Sequence, residues 1–77
     1  MKQQFDQELI SKFGTRVREL RKEKGMTIEE LAERSGLTKL QIGRIERGQV
    51  NTSIDSCNRI AIALGLSISQ LFVLDEE

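Results

Sequence analysis

The chain has 77 residues, with twelve basic and twelve acidic side chains, no His, Pro, Trp or Tyr, and a single Cys. That length carries one domain with one small core, near the size at which dimerisation often supplements stability. A lone cysteine excludes an internal disulfide, and no Cys/His set exists for a structural zinc; with no His the usual nucleophile–base pairs are missing, so neither catalysis nor a cofactor is expected. No apolar stretch reaches the roughly 18 residues of a membrane span, and the opening MKQQFDQELI is too polar for a signal peptide, so a soluble, cytoplasmic protein is expected.

The zero net charge hides an asymmetry. Residues 16–47 carry nine basic against six acidic side chains, whereas 48–77 hold only Arg59 against Asp55, Asp75, Glu76 and Glu77. A basic first part and an acidic second part suit a molecule with one end facing a polyanion, although a charge-laced helix bundle gives the same total.

Taken in order, Phe5, Leu9 and Phe13 recur at four-residue spacing. They either extend the first helix by two turns or form an arm on the body. From about Leu9 to Lys24 the pattern is helical: Phe13, Val17 and Leu20 face inward, Arg18, Glu19, Lys22 and Glu23 face water, and Gly25 supplies the stop. A second helix is predicted from about Ile28 to Arg34 and a third from about Lys39 to Arg47. Thr27 with Glu30, and Thr38 with Gln41, each fit the capping box that satisfies free amides at a helix start.

Between those two helices, Gly36 can take the positive φ of a tight turn, and Leu31, Ala32, Leu37, Ile42 and Ile45 mark where they touch. Two short capped helices around a small residue and a glycine make a helix-turn-helix over 27–47. Thr52 or Ser53 caps a fourth helix presenting Ile54, Cys57, Ile60, Ala61 and Leu64 on one face, with Gly65 ending it. Ser67 and Gln70 mark a short fifth helix carrying Ile68, Leu71 and Phe72. The expected fold is therefore all-α, five helices in a single domain over 1–77.

Each residue of a helix turns about 100°, so with Ile42 and Ile45 inward, Leu40, Arg44 and Arg47 point outward and Lys39 stands at the N-terminal tip. Such a helix reads DNA with its N-terminal residues in the major groove. Lys39 and Arg44 can donate to guanine O6 and N7, and Leu40 can pack on a thymine methyl. Gln41 and Gly43, on the flank, complete the candidate base contacts; the missing side chain of Gly43 suits close approach of the backbone to DNA or to a neighbouring helix. Thr27 and Thr38, at helix starts with free amides, are candidate phosphate contacts. Cys57 falls on an inward face, where a buried thiol acts as a small hydrophobe rather than a redox sensor. Leu71-Phe72-Val73-Leu74 and the outward Ile62 exceed what one small core can hold, which predicts a symmetric dimer through 54–74, with Ile62, Ile68, Leu71 and Phe72 in the interface; the alternative is that the tail folds back onto its own core.

The helix pair over 27–47, the IERG that closes it and the downstream SIDSCNRIAIALGLSISQLF resemble the Cro/C1-type (XRE) helix-turn-helix DNA-binding domains, over about residues 9–72. The chain departs from that pattern at Ile28, where the family often has a phosphate-contacting Gln, at Ser35, usually apolar, and at Thr52, frequently Pro. The resemblance implies the five-helix, lambda-repressor-like fold and a homodimer on a double-stranded operator with two half-sites. It implies phosphate contacts from Arg16, Arg47, Gln49 and Asn51, and a structural ion pair between Arg21 and Glu46. It also implies a role for acidic residues on the second helix, here Glu29 and Glu33, in touching RNA polymerase; plain solubility explains them as well. A chain of this size and pattern looks like a controller protein of a restriction–modification system or a small phage-type repressor, with no effector domain attached. The alternative is an antitoxin that binds a toxin through its acidic second half and regulates its own operon.

Overall fold

Residues 6–74 are described by the structure, a computed structural model, and among them the chain forms α1 (Gln7–Glu23), α2 (Ile28–Ser35), α3 (Lys39–Glu46), α4 (Ile54–Ala63) and α5 (Ile68–Leu71), with no strand. Every helix starts on a polar cap. The Asp6 carboxylate accepts from the Leu9 amide at 3.1 Å to open α1, so the helix begins two residues before Leu9. Phe5, the first member of the Phe5–Leu9–Phe13 spacing, lies outside the described residues. Capping boxes open α2, α3 and α5, each with a hydroxyl accepting the N3 amide and a Glu or Gln accepting the cap amide. Ser53 rather than Thr52 opens α4, its hydroxyl accepting from the Ser56 amide at 3.1 Å.

The core gathers one stripe from each helix. Phe13, Val17 and Leu20 of α1 meet Leu31 and Ala32 of α2, Ile42 and Ile45 of α3, Cys57, Ile60 and Ala61 of α4 with the following Leu64, and Leu71 of α5. Each fully buried Leu or Ile contributes roughly 1.5–3 kcal/mol over its exposed state. Burial pushes the Cys57 thiol above its ordinary pKa, as suits an inert packing residue. Ser35 keeps its place in this apolar setting by satisfying itself. Its hydroxyl donates to the Ala32 carbonyl at 3.2 Å and accepts from the Leu37 amide at 3.3 Å. Gly36, at φ +77°, then turns the chain into α3.

Two apolar assignments are corrected by the packing. Ile54 does not face inward: it is 80% exposed, because it is the first residue of α4 and lies about 75° round the helix from the centre of its buried stripe. Leu71 is 0% exposed and belongs to the core of the chain itself, not to the dimer interface expected for it. Short α5 folds back under α4, so its last residue fills the core while Phe72 emerges beyond it. Phe72 stacks on Phe13 with ring centroids 4.9 Å apart, and Ile68 packs half-buried against the core. Ile62 remains outward, 67% exposed.

The position of α3 is set from α1. At Gly14 the helices come so close that an added Cβ would run into the backbone carbonyls of Ile45 and Glu46, the latter at 2.8 Å. About two helical turns further on, Arg21 Nε and Nη2 grip the two carboxylate oxygens of Glu46 at 2.7 and 3.1 Å, and Arg21 Nη1 donates to the Met26 carbonyl at 2.8 Å. Gln7 Nε2 donates to the Gly48 carbonyl at 2.9 Å, fixing the chain just past α3.

Breaking the bidentate pair strands a nearly buried charge. Arg21→Ala should cost about 3 kcal/mol in urea unfolding; a loss below about 1 kcal/mol would mark the pair as solvent-screened like a surface bridge. Gly14→Ala should also destabilise, by roughly 1–3 kcal/mol, because its methyl meets backbone that cannot rotate away. A neutral or stabilising result there would show that α1 and α3 can separate without loss.

Candidate nucleic-acid interface

Helix α3 divides cleanly into two faces. Ile42 and Ile45 are buried, while Lys39, Leu40, Gln41, Arg44 and Arg47 are exposed. Leu40 is 58% exposed, an apolar side chain held in water on the face opposite the core. Two grooves flank the helix. One is lined by Ile28, Lys39, Leu40, Gly43 and Arg47. The other lies between Leu40, Gln41 and Arg44 on α3 and Val50, Asn51 and Ser53 on the approach to α4. Side chains that can donate bidentately, donate and accept, or pack on a methyl thus share one convex ridge, the chemistry needed to read base edges.

The helix starts add backbone donors. Thr27 Oγ1 and Thr38 Oγ1 each accept an N3 amide at 3.0 Å, leaving each hydroxyl proton free to donate outward. In the same caps Glu30 and Gln41 accept the cap amides at 2.8 Å. The first two amides of each helix, at Ile28 and Glu29 and at Lys39 and Leu40, have no intrahelical partner by construction. Those amides and the positive end of the helix dipole suit phosphate oxygens. Ile28 brings no side-chain donor to this edge; it forms apolar wall in the groove beside Lys39.

The structure does not assemble all the residues expected here. Arg47 and Gln49 are together, Arg47 Nε donating to Gln49 Oε1 at 3.3 Å, and Asn51 lies in the second groove. Arg16 does not join them. It lies about 200° round α1 from Gly14, the point of contact with α3, and its Nη2 donates to the Gln70 carbonyl at 2.8 Å, tying α1 to α5. Gly43 is corrected too: it is buried under Arg47, whose Nη1 would lie 3.1 Å from an added Cβ. Its missing side chain seats a guanidinium on the helix rather than opening the backbone to DNA.

Glu29 also has a partner that its sequence position does not suggest. Its Oε2 lies 2.9 Å from Lys39 Nζ, across the turn from α2 to α3. The hydrogen bond from Lys39 holds the Glu29 carboxyl below the usual carboxylate range, so it is ionised at neutral pH. Glu33 is exposed on the outer face of α2. Sequence reasoning missed Gly14 and Gln7 as supports of the site. Gly14 carried a signal, since a glycine inside a helix costs about 1 kcal/mol and implies a close approach; Gln7 carried none.

Among the described residues no helix is long and apolar enough to cross a membrane, and no His, Cys, Asp or Glu group could hold a metal. The sequence matches the helix-turn-helix family over residues 17–71. It is 48% identical over 64 residues to an uncharacterised HTH-type transcriptional regulator of Methanothermobacter thermautotrophicus, covering 82% of this chain and 93% of that protein. It is 40% identical to the HTH-type transcriptional regulator SinR of Bacillus subtilis, over 83% of this chain but only 57% of SinR. The fold superposes on the restriction–modification controller protein C.AhdI from Aeromonas hydrophila with a TM-score of 0.80 and 45% identity, covering 84% of this chain and 97% of that one. A fully capped helix pair, a reading face free of core duties and these likenesses agree: the chain belongs to the Cro/C1-type (XRE) helix-turn-helix family of DNA-binding transcription regulators.

Proposed function

We propose that this protein is a sequence-specific transcriptional regulator that binds a duplex operator as a homodimer, in the manner of a restriction–modification controller or a small phage-type repressor. The observation that carries the reading is the exposed ridge of Lys39, Leu40, Gln41 and Arg44, on a helix whose far end is clamped by Arg21 and Gly14. Specificity comes from that ridge. Register and much of the affinity come from the helix-start amides, Thr27, Thr38, Arg47, Gln49 and Asn51 against phosphates. Likeness to a controller protein over nearly the whole of both chains supports the controller version of this reading.

The dimer surface is the outer side of α4 together with the residues after α5. Ile54, Ile62 and Val73 are exposed there without a role in the protomer core. Leu71 supports this surface from beneath, and Phe72, half turned into the protomer, belongs to its edge. A two-fold axis through α4 would set two α3 helices against half-sites about one DNA turn apart. Activation through RNA polymerase, the role the family resemblance attaches to Glu29 and Glu33, rests on Glu33, because Glu29 is engaged with Lys39.

Two variants test the reading. Arg44→Ala should weaken binding to the operator selected from a random duplex library by about 1–3 kcal/mol, and to random duplex far less, at one salt concentration. Equal losses on both would make Arg44 a phosphate contact. Ile62→Glu should leave the circular-dichroism spectrum unchanged, since the side chain is exposed, while sedimentation shows a monomer and operator affinity falls. An unchanged dimer, or a wild-type protein that is monomeric at high concentration, would remove the proposed interface; Phe72→Glu is a poorer probe because it also breaks the stack on Phe13.

A further inference from the structure

The first residue of the reading helix is engaged before DNA arrives. Lys39 Nζ and Glu29 Oε2 are 2.9 Å apart, with the side chains 66% and 62% exposed. Among the described residues, Glu8–Lys12 and Asp55–Arg59 are i,i+4 pairs along one helix and Arg21–Glu46 is buried, so Glu29–Lys39 is the one exposed ion pair that joins two helices. Water and salt screen such a pair, and it contributes little to folding. Its place on the molecule matters more. Glu29 follows Ile28, which lines the groove shared with Lys39, Leu40, Gly43 and Arg47, so a full negative charge stands on the rim of the surface proposed to meet DNA.

An ammonium alone is a point charge that seeks any anion, and backbone phosphates outnumber every other acceptor on a duplex. With Glu29 beside it, a phosphate oxygen that reaches Lys39 comes within a few ångströms of a carboxylate and is repelled. A guanine edge carries only the partial charges of its O6 and N7 acceptors and is repelled far less. The ammonium has three N–H donors, so it can keep one on Glu29 and still offer others to O6 and N7. The pair therefore presents donors with almost no net charge.

We propose that Glu29 is a specificity-determining residue, whose carboxylate makes Lys39 a donor for neutral base edges and withholds it from backbone phosphates. The proposal rests on the DNA-reading role given to α3 above. It casts Glu29 as the repulsive element by which a recognition surface rejects wrong partners, in place of the polymerase contact that its exposure alone would suggest.

The test is Glu29→Gln measured on the selected operator and on random duplex across a salt series, in the wild-type and Lys39→Gln backgrounds. With Lys39 present, binding to random duplex should tighten several-fold and the slope of log K against log salt should steepen by about 0.9, one more phosphate contact. Operator affinity should change less, so the ratio of specific to random binding falls. In the Lys39→Gln background the substitution should shift both duplexes by the same factor. The thermal unfolding temperature should fall only slightly, because the pair is exposed and screened by water. Equal gains on operator and random duplex with Lys39 present would reduce Glu29 to general repulsion and overturn the proposal, as would no change on either. A wild-type protein without salt-dependent duplex binding would overturn the DNA reading, and this inference with it; selective wild-type binding with equal gains would overturn the inference alone.

Discussion

The close approach of α1 to the end of α3 is the constraint on which the remaining structure depends. A reading helix of eight residues is too short to hold its own direction. It makes one side available to solvent only because the other is fixed at three levels along α1. Gly14 removes the side chain that would hold the helices apart, Arg21 grips Glu46 with two donors, and Gln7 holds the Gly48 carbonyl beyond the helix end. These contacts lie on the half of α3 away from Lys39 and Leu40. Support is thereby separated from the ridge proposed for recognition along one short helix, with Ile42 and Ile45 anchoring the middle.

The helix-turn-helix itself was legible because its signals are local. A hydroxyl and an amide or carboxylate three residues apart mark a helix start whatever surrounds them, and the caps at Thr27, Thr38 and Ser67 appear where that spacing puts them. The inward stripe of α3 follows from helical period alone. The misplacements arise where three-dimensional arrangement decides. Ile54 is apolar at a helix start that has not yet reached the core, and Leu71 ends a four-residue helix whose reversal no period describes. Arg16 needed the position of α5 to be understood, since its partner is a backbone carbonyl 54 residues away. The Glu29–Lys39 pair spans the turn between two helices, and only their crossing brings the charges together.

Gly14 and Gly43 show how the same residue type can answer different needs. Both sit inside helices with ordinary backbone conformation, where glycine costs about 1 kcal/mol. At Gly14 the missing Cβ lets two backbones approach, a demand no other residue meets. At Gly43 it leaves a shelf for the Arg47 guanidinium, a flexible neighbour that could give way by a few tenths of an ångström. Sequence treats the two alike. Only the identity of the nearest atom, a backbone carbonyl in one case and a side-chain nitrogen in the other, separates a structural requirement from an adjustable one.

The neutral total charge takes on meaning once the cations with defined partners are set apart from those on the face of α3. Lys12, Arg21, Lys39 and Arg59 each lie against a carboxylate, and Arg16 donates to a helix-end carbonyl. On the reading face this leaves Arg44 and Arg47, the second leaning on the neutral Gln49 rather than on an acid. Two cations not matched to carboxylates, with backbone amides at two helix starts, make a surface that draws modestly on counterion release. In the proposed reading, discrimination would come from fit against base edges, with Leu40 offering apolar contact and Arg44 a planar fork. A protein built this way gains little from clinging to arbitrary duplex. The proposed two-fold axis would double that surface and raise affinity for a paired site without adding a positive charge to either copy, which would give the exposed isoleucines of α4 a physical reason to be where they are.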